Sequence, residues 1–326
     1  MHKYIDQALE IPSIVNVVFS GGECFLLGKD LDALIQHVTD NNLYSRVVSN
    51  AFWAKSYKIA KERLALLVKS GLKEVNFSTG DNHSKYVPVQ NIINASLACV
   101  EFGIKPYIML EMFKNSTFDI DMLFTNEEFN KAFQDEKIDI APSVWMQFGK
   151  TQSIVYSEKQ LSENFDLNCT SIFNDLSIDT KNQLNACCGL PSKEIPELIL
   201  GTLNGKTIKQ VLESAKDDFI KIWLNIGGPR EIIDYARSID KSIPKYSNAL
   251  HICDLCRHVY ADPKIRKAYQ THKPEHMKEK LTVTFLQHKI IDNISSSLSK
   301  KEKMTKMPKC PNKILALKKY IYELQK

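Results

Sequence analysis

Cysteines are the residues most able to do chemistry in this sequence, and five of the eight cluster between residues 169 and 256. Cys253 and Cys256 form a Cys-x-x-Cys pair, whose two intervening residues allow both sulfurs to turn toward one metal. Cys169 with Cys187 or Cys188 could complete a set of four thiolates. Such a set fits zinc or an iron–sulfur cluster, and the spacing of the cysteines does not distinguish a zinc site from a cluster site. The alternative is a buried, redox-inert set without a metal.

A second candidate site consists of two glycines and a glutamate, Gly21, Gly22 and Glu23, directly after the β-branched run SIVNVVF at 13–19. The run predicts a buried strand, and apolar spacing predicts a helix over 27–39. The carboxylate that directly follows the two glycines makes this strand end a candidate ligand site.

Strand and helix patterns alternate along the first 150 residues. The predicted strands cover 13–19, 45–49, 74–78, 105–112 and 142–148, and the predicted helices cover 27–39, 54–71 and 89–103. This alternation predicts a parallel sheet or barrel with helices outside, and such folds bind ligands at the carboxyl ends of their strands. The candidate residues after each strand are therefore Gly21, Gly22, Glu23, Ser49, Asn50, Ser78, Thr79, Gly80, Asp81, His83, Glu111 and Gln147.

The pattern changes after residue 150. Residues 169–189 predict a hairpin that turns at DTKNQ and carries cysteines on its two strands. Helices are predicted at 206–215 and 229–238, and residues 263–326 read as a basic helical segment with a break at KMPKCPN. The predicted domains are 1–150, 151–262 and 263–326.

Composition favours an ordinary water-soluble protein, with 44% hydrophobic and 25% charged residues among 326. No apolar run approaches the roughly 20 residues of a membrane span, and the start lacks the pattern of a signal peptide. We therefore expect a cytoplasmic protein with reduced cysteines and no membrane partner. The net charge of +5 is concentrated near the end of the chain, where a solvated helix face is expected rather than a nucleic-acid surface.

Together these motifs resemble the radical S-adenosylmethionine enzymes that carry a C-terminal SPASM or twitch-type domain. FSGGECFLL at 19–27 resembles the GGE motif of that family. VVSNAF at 47–52 and VNFSTGDNHSKYVP at 75–88 resemble the next two strand ends. The cysteines, with LGTLNGKTIKQVL at 200–212 and HICDLC at 251–256, resemble the auxiliary-cluster domain.

The resemblance implies a partial (β/α)6 barrel that lacks its first β/α unit, followed by a small α+β iron–sulfur domain and a helical tail. It implies that Gly21, Gly22 and Glu23 receive the amino group of S-adenosylmethionine, that Ser49 and Asn50 lie near this ligand, and that Ser78 and Asp81 face its ribose or carboxylate. It further implies an auxiliary 4Fe–4S cluster on Cys169, Cys187, Cys253 and Cys256. Relatives modify peptides by epimerisation or crosslinking, so a peptide substrate and a reductant protein are the implied partners.

The sequence departs from the family in one respect, because no CxxxCxxC spacing for the catalytic cluster occurs in it. We therefore expect a chain that resembles a family member without its N-terminal part and that cannot cleave S-adenosylmethionine alone. One alternative is a non-catalytic protein, stabilised by zinc or an Fe–S cluster, that binds a peptide or another partner. Another is an unrelated α/β enzyme with an incidental Cys-x-x-Cys pair, although the sequence has no Walker A, GxGxxG, HExxH or GxSxG motif.

Overall fold

The computed structural model describes residues 1–112, 116–144, 168–246, 249, 251–271 and 274. These residues divide into two units, the first within 1–144 and the second from 168 onward. The predicted boundary at 150 and the candidate Gln147 lie outside the described residues. No helix in the described part of the chain combines the length and apolar character that a membrane crossing requires.

The first unit contains one parallel sheet whose strands follow one another in chain order. Its strands are β1 (Asn16–Phe19), β2 (Tyr44–Ser49), β3 (Glu74–Gly80), β4 (Pro106–Met112) and β5 (Asp139–Val144). Its helices are α1 (His2–Leu9), α2 (Lys29–Asp40), α3 (Tyr57–Lys69), α4 (Asp81–Ser84), α5 (Val89–Glu101), α6 (Asp121–Phe124) and α7 (Glu127–Gln134), with a 3-10 turn at Cys24–Leu27. The predicted α/β alternation with a parallel sheet is therefore confirmed.

The two faces of this sheet differ in polarity, because successive side chains of a strand point to opposite sides. On one face Val47, Val75 and Phe77 are fully buried in the apolar core of the unit. The alternate residues are mostly polar and partly exposed: Arg46, Glu74, Asn76, Ser78 and Tyr107, together with the buried Glu111. The first strand was predicted as a buried run, but only Phe19 of β1 is buried, and the sheet has one polar, partly exposed face.

The fifth strand begins three residues earlier than predicted. Asp139 pairs in register with Tyr107, and the pairing continues to Val144 opposite Met112. Pro142 lies inside this strand, where it has no N–H to donate. The prediction of 142–148 placed the proline at the strand start, where it is more common.

Helix α7 was not predicted, although its sequence contains a clear start signal. Asn126 caps it by accepting a hydrogen bond from the N–H of Phe129 at 2.9 Å. Glu127 and Glu128 occupy the first turn, where negative charge is favourable. Phe129 and Phe133 are buried one turn apart, so the capping residue and the apolar spacing together could have identified this helix.

The second unit combines a small antiparallel sheet with four α-helices. Its strands are β6 (Ser177–Ile178), β7 (Gln183–Asn185) and β8 (Ile199–Thr202), and its helices are α8 (Ile208–Ala215), α9 (Phe219–Ile239), α10 (Ile252–Ala261) and α11 (Pro263–Thr271), with 3-10 turns at Leu190–Glu194 and Pro196–Leu198. The structure contains the predicted hairpin, with its turn at 179–182, but the strands are shorter than expected. Cys169 lies before them, and the third strand was not predicted.

Helix α9 bends at Gly228, whose φ of +75° is non-helical, and the helix resumes at Pro229. The predicted helix start at 229 is thus the second half of a longer, kinked helix. Helix α11 packs in the same core, where Ile265 and Ala268 are buried. Residues 263–271 therefore pack with the cysteine-containing unit, and the predicted boundary at 262/263 does not coincide with a break in packing.

Candidate functional site

Glu23 is held at the carboxyl edge of the parallel sheet by two backbone N–H groups. Its Oε1 accepts a hydrogen bond from the N–H of Phe25 at 3.1 Å, and its Oε2 accepts one from the N–H of Asn50 at 3.0 Å. Gly21 has a φ of +111°, which favours glycine, and both Gly21 and Gly22 are exposed. The structure therefore brings a residue after β1, Glu23, into contact with a residue after β2, Asn50.

Ser49 shapes the turn that follows β2. Its Oγ accepts hydrogen bonds from the N–H of Ala51 and from the indole N–H of Trp53, both at 3.0 Å. The next residue, Asn50, accepts from the N–H of Phe52 through its Oδ1 at 3.0 Å. Ser49 is buried and Asn50 is half-exposed, so a ligand reaches Asn50 more readily than Ser49.

Two buried asparagines on α5 hold this same turn in place, and neither was predicted. Asn91 donates to the carbonyl oxygens of Ala51 and Phe52, at 3.3 Å and 3.2 Å. Asn94 donates to the carbonyl oxygen of Ala54 at 3.0 Å. Polar residues on the buried face of an apolar helix were the sequence signal for this support.

Asp81 is buried, and its carboxylate is already engaged by the loop at 116–117. One oxygen accepts from the N–H and the hydroxyl of Thr117, at 2.8 Å and 2.7 Å, and the other accepts from the hydroxyl of Ser116. Ser78 lies two residues before the end of β3, on the polar face of the sheet. Asp81 thus fixes the loop at this edge, while Ser78 remains partly exposed.

Glu111 and His83 form a pair at the same edge. Gly80 lies beside Glu111 in register, and a Cβ at Gly80 would come within 2.0 Å of the Cγ of Glu111. Glu111 Oε1 accepts from the N–H groups of Asn82 and His83, the latter at 3.1 Å. Its Oε2 lies 3.2 Å from Nδ1 of the His83 ring. Both residues were candidates from their strand-end positions, but their pairing could not be read from the sequence.

In the second unit, four free thiols from three segments line one cavity. Cys169 lies in the loop before β6, Cys187 follows β7, and Cys253 and Cys256 lie on the first turns of α10. All four contribute to the wall of the cavity, together with apolar residues such as Ile172. The predicted set of four cysteines is therefore brought to one place.

Burial controls the protonation of these thiols. It raises the pKa of Cys187 from an ordinary 9.0 to about 11 and that of Cys253 to about 12, and nearby cysteines add to both effects. Burial also raises the pKa of Cys169, and that of Cys256 lies well above its ordinary value. The four groups are consequently neutral thiols at pH 7, and each must lose a proton to bind a metal.

The thiols line the cavity closely without forming a coordination site for a single ion. The cavity measures about 20 Å³, which is room for about one water molecule. Among the residues that the structure describes, no three His, Cys, Asp or Glu side chains are placed to hold a metal ion. The donor atoms thus fit a thiolate-bound group by their chemistry, and a four-iron cluster would need a wider cavity than the one described.

The two histidines beside the Cys-x-x-Cys pair have other contacts. Nδ1 of His251 accepts a hydrogen bond from the N–H of Cys253 at 3.2 Å and so caps α10. Burial lowers the pKa of His251, which favours its neutral form. The His258 ring stacks on Tyr246 with 3.8 Å between ring centroids. His251 therefore has only Nε2 left for any ligand role.

A cavity of about 500 Å³ lies at the amino edge of the parallel sheet, where no predicted site residue is found. Its walls include Asn16, Ser45, Lys73, Lys105 and Asp139. Lys105 and Asp139 form an ion pair at 2.7 Å across the wall. Ligand sites of parallel α/β folds lie at the opposite edge, so we place the candidate site at the carboxyl ends of the strands.

No protein-family model and no curated protein sequence matches this chain. Among solved structures, one that is similar is the crystal structure of BtrN in complex with AdoMet and 2-DOIA. The TM-score is 0.38 and the sequence identity is 11%, over 69% of this chain and 73% of that chain.

Proposed function

We propose that this chain is a protein of the radical S-adenosylmethionine type, which binds S-adenosylmethionine at the carboxyl edge of its parallel sheet. The observation that carries the proposal is the hydrogen bond between the Glu23 carboxylate and the N–H of Asn50. It joins residues of two separate motifs at the edge where parallel α/β folds bind ligands.

The ammonium group of the ligand is proposed to lie against Glu23. Each of its carboxylate oxygens accepts one backbone N–H and retains a further lone pair for a second donor. The exposed residues Gly21 and Gly22 are proposed to add backbone carbonyl acceptors. Asn50 and Ser78, both partly exposed, complete the proposed contacts.

An auxiliary 4Fe–4S cluster on Cys169, Cys187, Cys253 and Cys256 is the second part of the proposal. Thiolates are the ligands that such clusters take, and the four thiols share one cavity. When bound, the cluster would supply one-electron chemistry. Because the cavity is small, binding requires the three cysteine-bearing segments to move apart and the four thiols to lose their protons.

The proposed reaction class is the modification of a peptide by epimerisation or crosslinking, with a reductant protein as electron source. The sequence contains no CxxxCxxC spacing, so we propose that this chain does not cleave S-adenosylmethionine by itself. The free thiols of the cavity are compatible with a reducing compartment such as the cytoplasm.

Equilibrium dialysis with S-adenosylmethionine up to millimolar concentration tests the binding site. Replacing Glu23 by Gln keeps an acceptor oxygen but removes the charge, so we expect binding to weaken about 10-fold to 100-fold. Glu62→Gln, an exposed change on α3, serves as the matched control. Equal binding by the wild type and Glu23→Gln would contradict the proposed site.

A further inference from the structure

Strand β1 lies at one end of the parallel sheet, and β2 is its only neighbour among the strands that the structure describes. In a parallel pair, the N–H and C=O of one residue point to the neighbouring strand, and those of the next residue point away from it. The C=O of Val15 accepts the N–H of Tyr44 at 3.0 Å, so alternate residues from Val15 onward direct these groups toward β2. Asn16 and Val18 lie between them and therefore turn their N–H and C=O groups to the outer edge.

The core face of the sheet is incompletely covered at this edge. Val17 shares that face with Val47 of β2, since Phe19 pairs in register with Val47 and Val17 lies two residues earlier. Val47 is fully buried, whereas Val17 is partly exposed and Val15 is 63% exposed. On the opposite face Val18 is 45% exposed. An added strand with apolar side chains would bury surface that β1 leaves in contact with water.

This edge also lacks the features that commonly prevent the addition of a strand. Exposed edges are often protected by lysine, proline or a β-bulge. No charged residue and no proline occurs from Ser13 to Gly22, and β1 pairs with β2 in continuous register. Because the segment carries no charge, it favours an uncharged partner strand with β-branched residues, and a second copy of the same segment meets that requirement.

We propose that β1 pairs antiparallel with β1 of a second copy of this chain, about a two-fold axis at Val17. In an antiparallel ladder, residues whose backbone groups point at the partner exchange both hydrogen bonds with the residue opposite. With the axis at Val17, Asn16 lies opposite the partner's Val18 and exchanges both bonds with it. On the core face Val17 meets the partner's Val17, and Val15 meets the partner's Phe19, so apolar side chains become cross-strand neighbours.

Such an interface is closed, because each copy has one β1 edge and the two-fold axis uses both. It is also weak, since β1 has four residues and small interfaces are typical of transient contacts. We therefore expect a monomer–dimer equilibrium with a Kd of about 10–500 μM. The inference does not depend on the proposed function, because the pairing uses neither the ligand site nor the cysteine cavity.

Sedimentation equilibrium of the full chain, with a thiol reductant present, tests the pairing. Across concentrations below and above the expected Kd, the wild type is expected to approach a dimer and to form no larger species. Val18→Lys places a charge at the edge twice in each dimer and is expected to weaken dimerisation at least about 10-fold. Leu66→Lys is the matched control, because Leu66 is an apolar residue of α3 that is 53% exposed, and it is expected to dimerise as the wild type does.

A second variant and a second readout test the backbone directly. Val18→Pro removes an N–H that points outward and that β2 does not use, so we expect a folded monomer by circular dichroism and sedimentation. In hydrogen exchange of the wild type, the amides of Asn16 and Val18 are expected to slow as the concentration rises. The amides of Val17 and Phe19, which face β2, are expected to keep their rates.

Each of four results would overturn the inference. A wild type that stays monomeric at all concentrations shows that no second copy binds, and growth beyond the dimer excludes the closed two-fold pair. A dimer that forms equally well in Val18→Lys and Val18→Pro lies at another surface. Slow exchange of the Asn16 and Val18 amides in the monomer shows that another part of this chain covers the edge.

Discussion

Each of the four thiols around the cavity of the second unit has a raised pKa, because burial disfavours the thiolate. A raised pKa in the folded state means that folding favours the protonated group. The resulting stability is complete below the ordinary pKa of 9.0 and is lost as the pH rises through about 11 for Cys187 and about 12 for Cys253.

We therefore expect the metal-free protein to lose stability between pH 9 and 12 more steeply than a Cys253→Ala/Cys256→Ala variant. The variant lacks two of the buried thiols whose ionisation opposes folding. Urea unfolding at a series of pH values, followed by circular dichroism, measures the difference. Parallel pH profiles for the two proteins would show that these thiols are not buried in the folded state.

Single residues also show how far the sequence could predict the site. Glu23 and Asn50 were identified from their positions after strands, and the structure joins them. The engagement of Asp81 by Ser116 and Thr117 could not be predicted, because its partners lie 35 residues or more further along the chain. Strand ends therefore predict which residues reach the edge of the sheet, but not which of them are already hydrogen-bonded there.

At the scale of elements, α5 supports the carboxyl edge of the parallel sheet, because two of its side chains donate hydrogen bonds to the turn after β2. Asn94→Ala removes the hydrogen bond to the carbonyl oxygen of Ala54 and leaves a buried acceptor unsatisfied. We expect a loss of about 1–3 kcal/mol in the free energy of unfolding. Ser96→Ala, on the same helix, is the control, because the buried Ser96 hydroxyl has no described partner. Equal losses for both variants would contradict the supporting role of Asn94.

The junction between β3 and α4 gives a second prediction at this scale. Gly80→Ala combines a strained φ of +132° with a clash against Glu111, whereas Gly103→Ala has a φ of +72° and open space around it. We expect Gly80→Ala to lower the free energy of unfolding by about 2–4 kcal/mol and Gly103→Ala by about 1–2 kcal/mol. Thermal unfolding of both variants compares them, and equal losses would show that Glu111 does not approach Gly80.

The errors in element prediction have physical causes. The start of β5 was misplaced because tertiary pairing with β4 accommodates Pro142 inside a strand. The strand β8 was missed because it is only four residues long and pairs with a segment distant in sequence. The long helices α2, α3 and α5 were predicted well, since their apolar spacing is local and extends over three turns or more.

At the scale of the whole chain, each of the two units has its own apolar core. The change in pattern after residue 150, where strand–helix alternation ends, predicted a boundary at 150, and that position lies outside the described residues. The tail boundary was less predictable, since helix α11 continues the core of the second unit and carries charged residues on its exposed side. The charged residues of α11 therefore did not show whether this helix packs against a core or is solvated on all sides.

The metal content after anaerobic reconstitution tests the central claim most directly. We expect about four irons and four sulfides per chain, lost in Cys253→Ala/Cys256→Ala and retained in Cys24→Ala/Cys99→Ala, which removes two buried cysteines of the first unit. One zinc without iron, or iron that persists in the Cys253→Ala/Cys256→Ala protein, would contradict an auxiliary cluster at these cysteines.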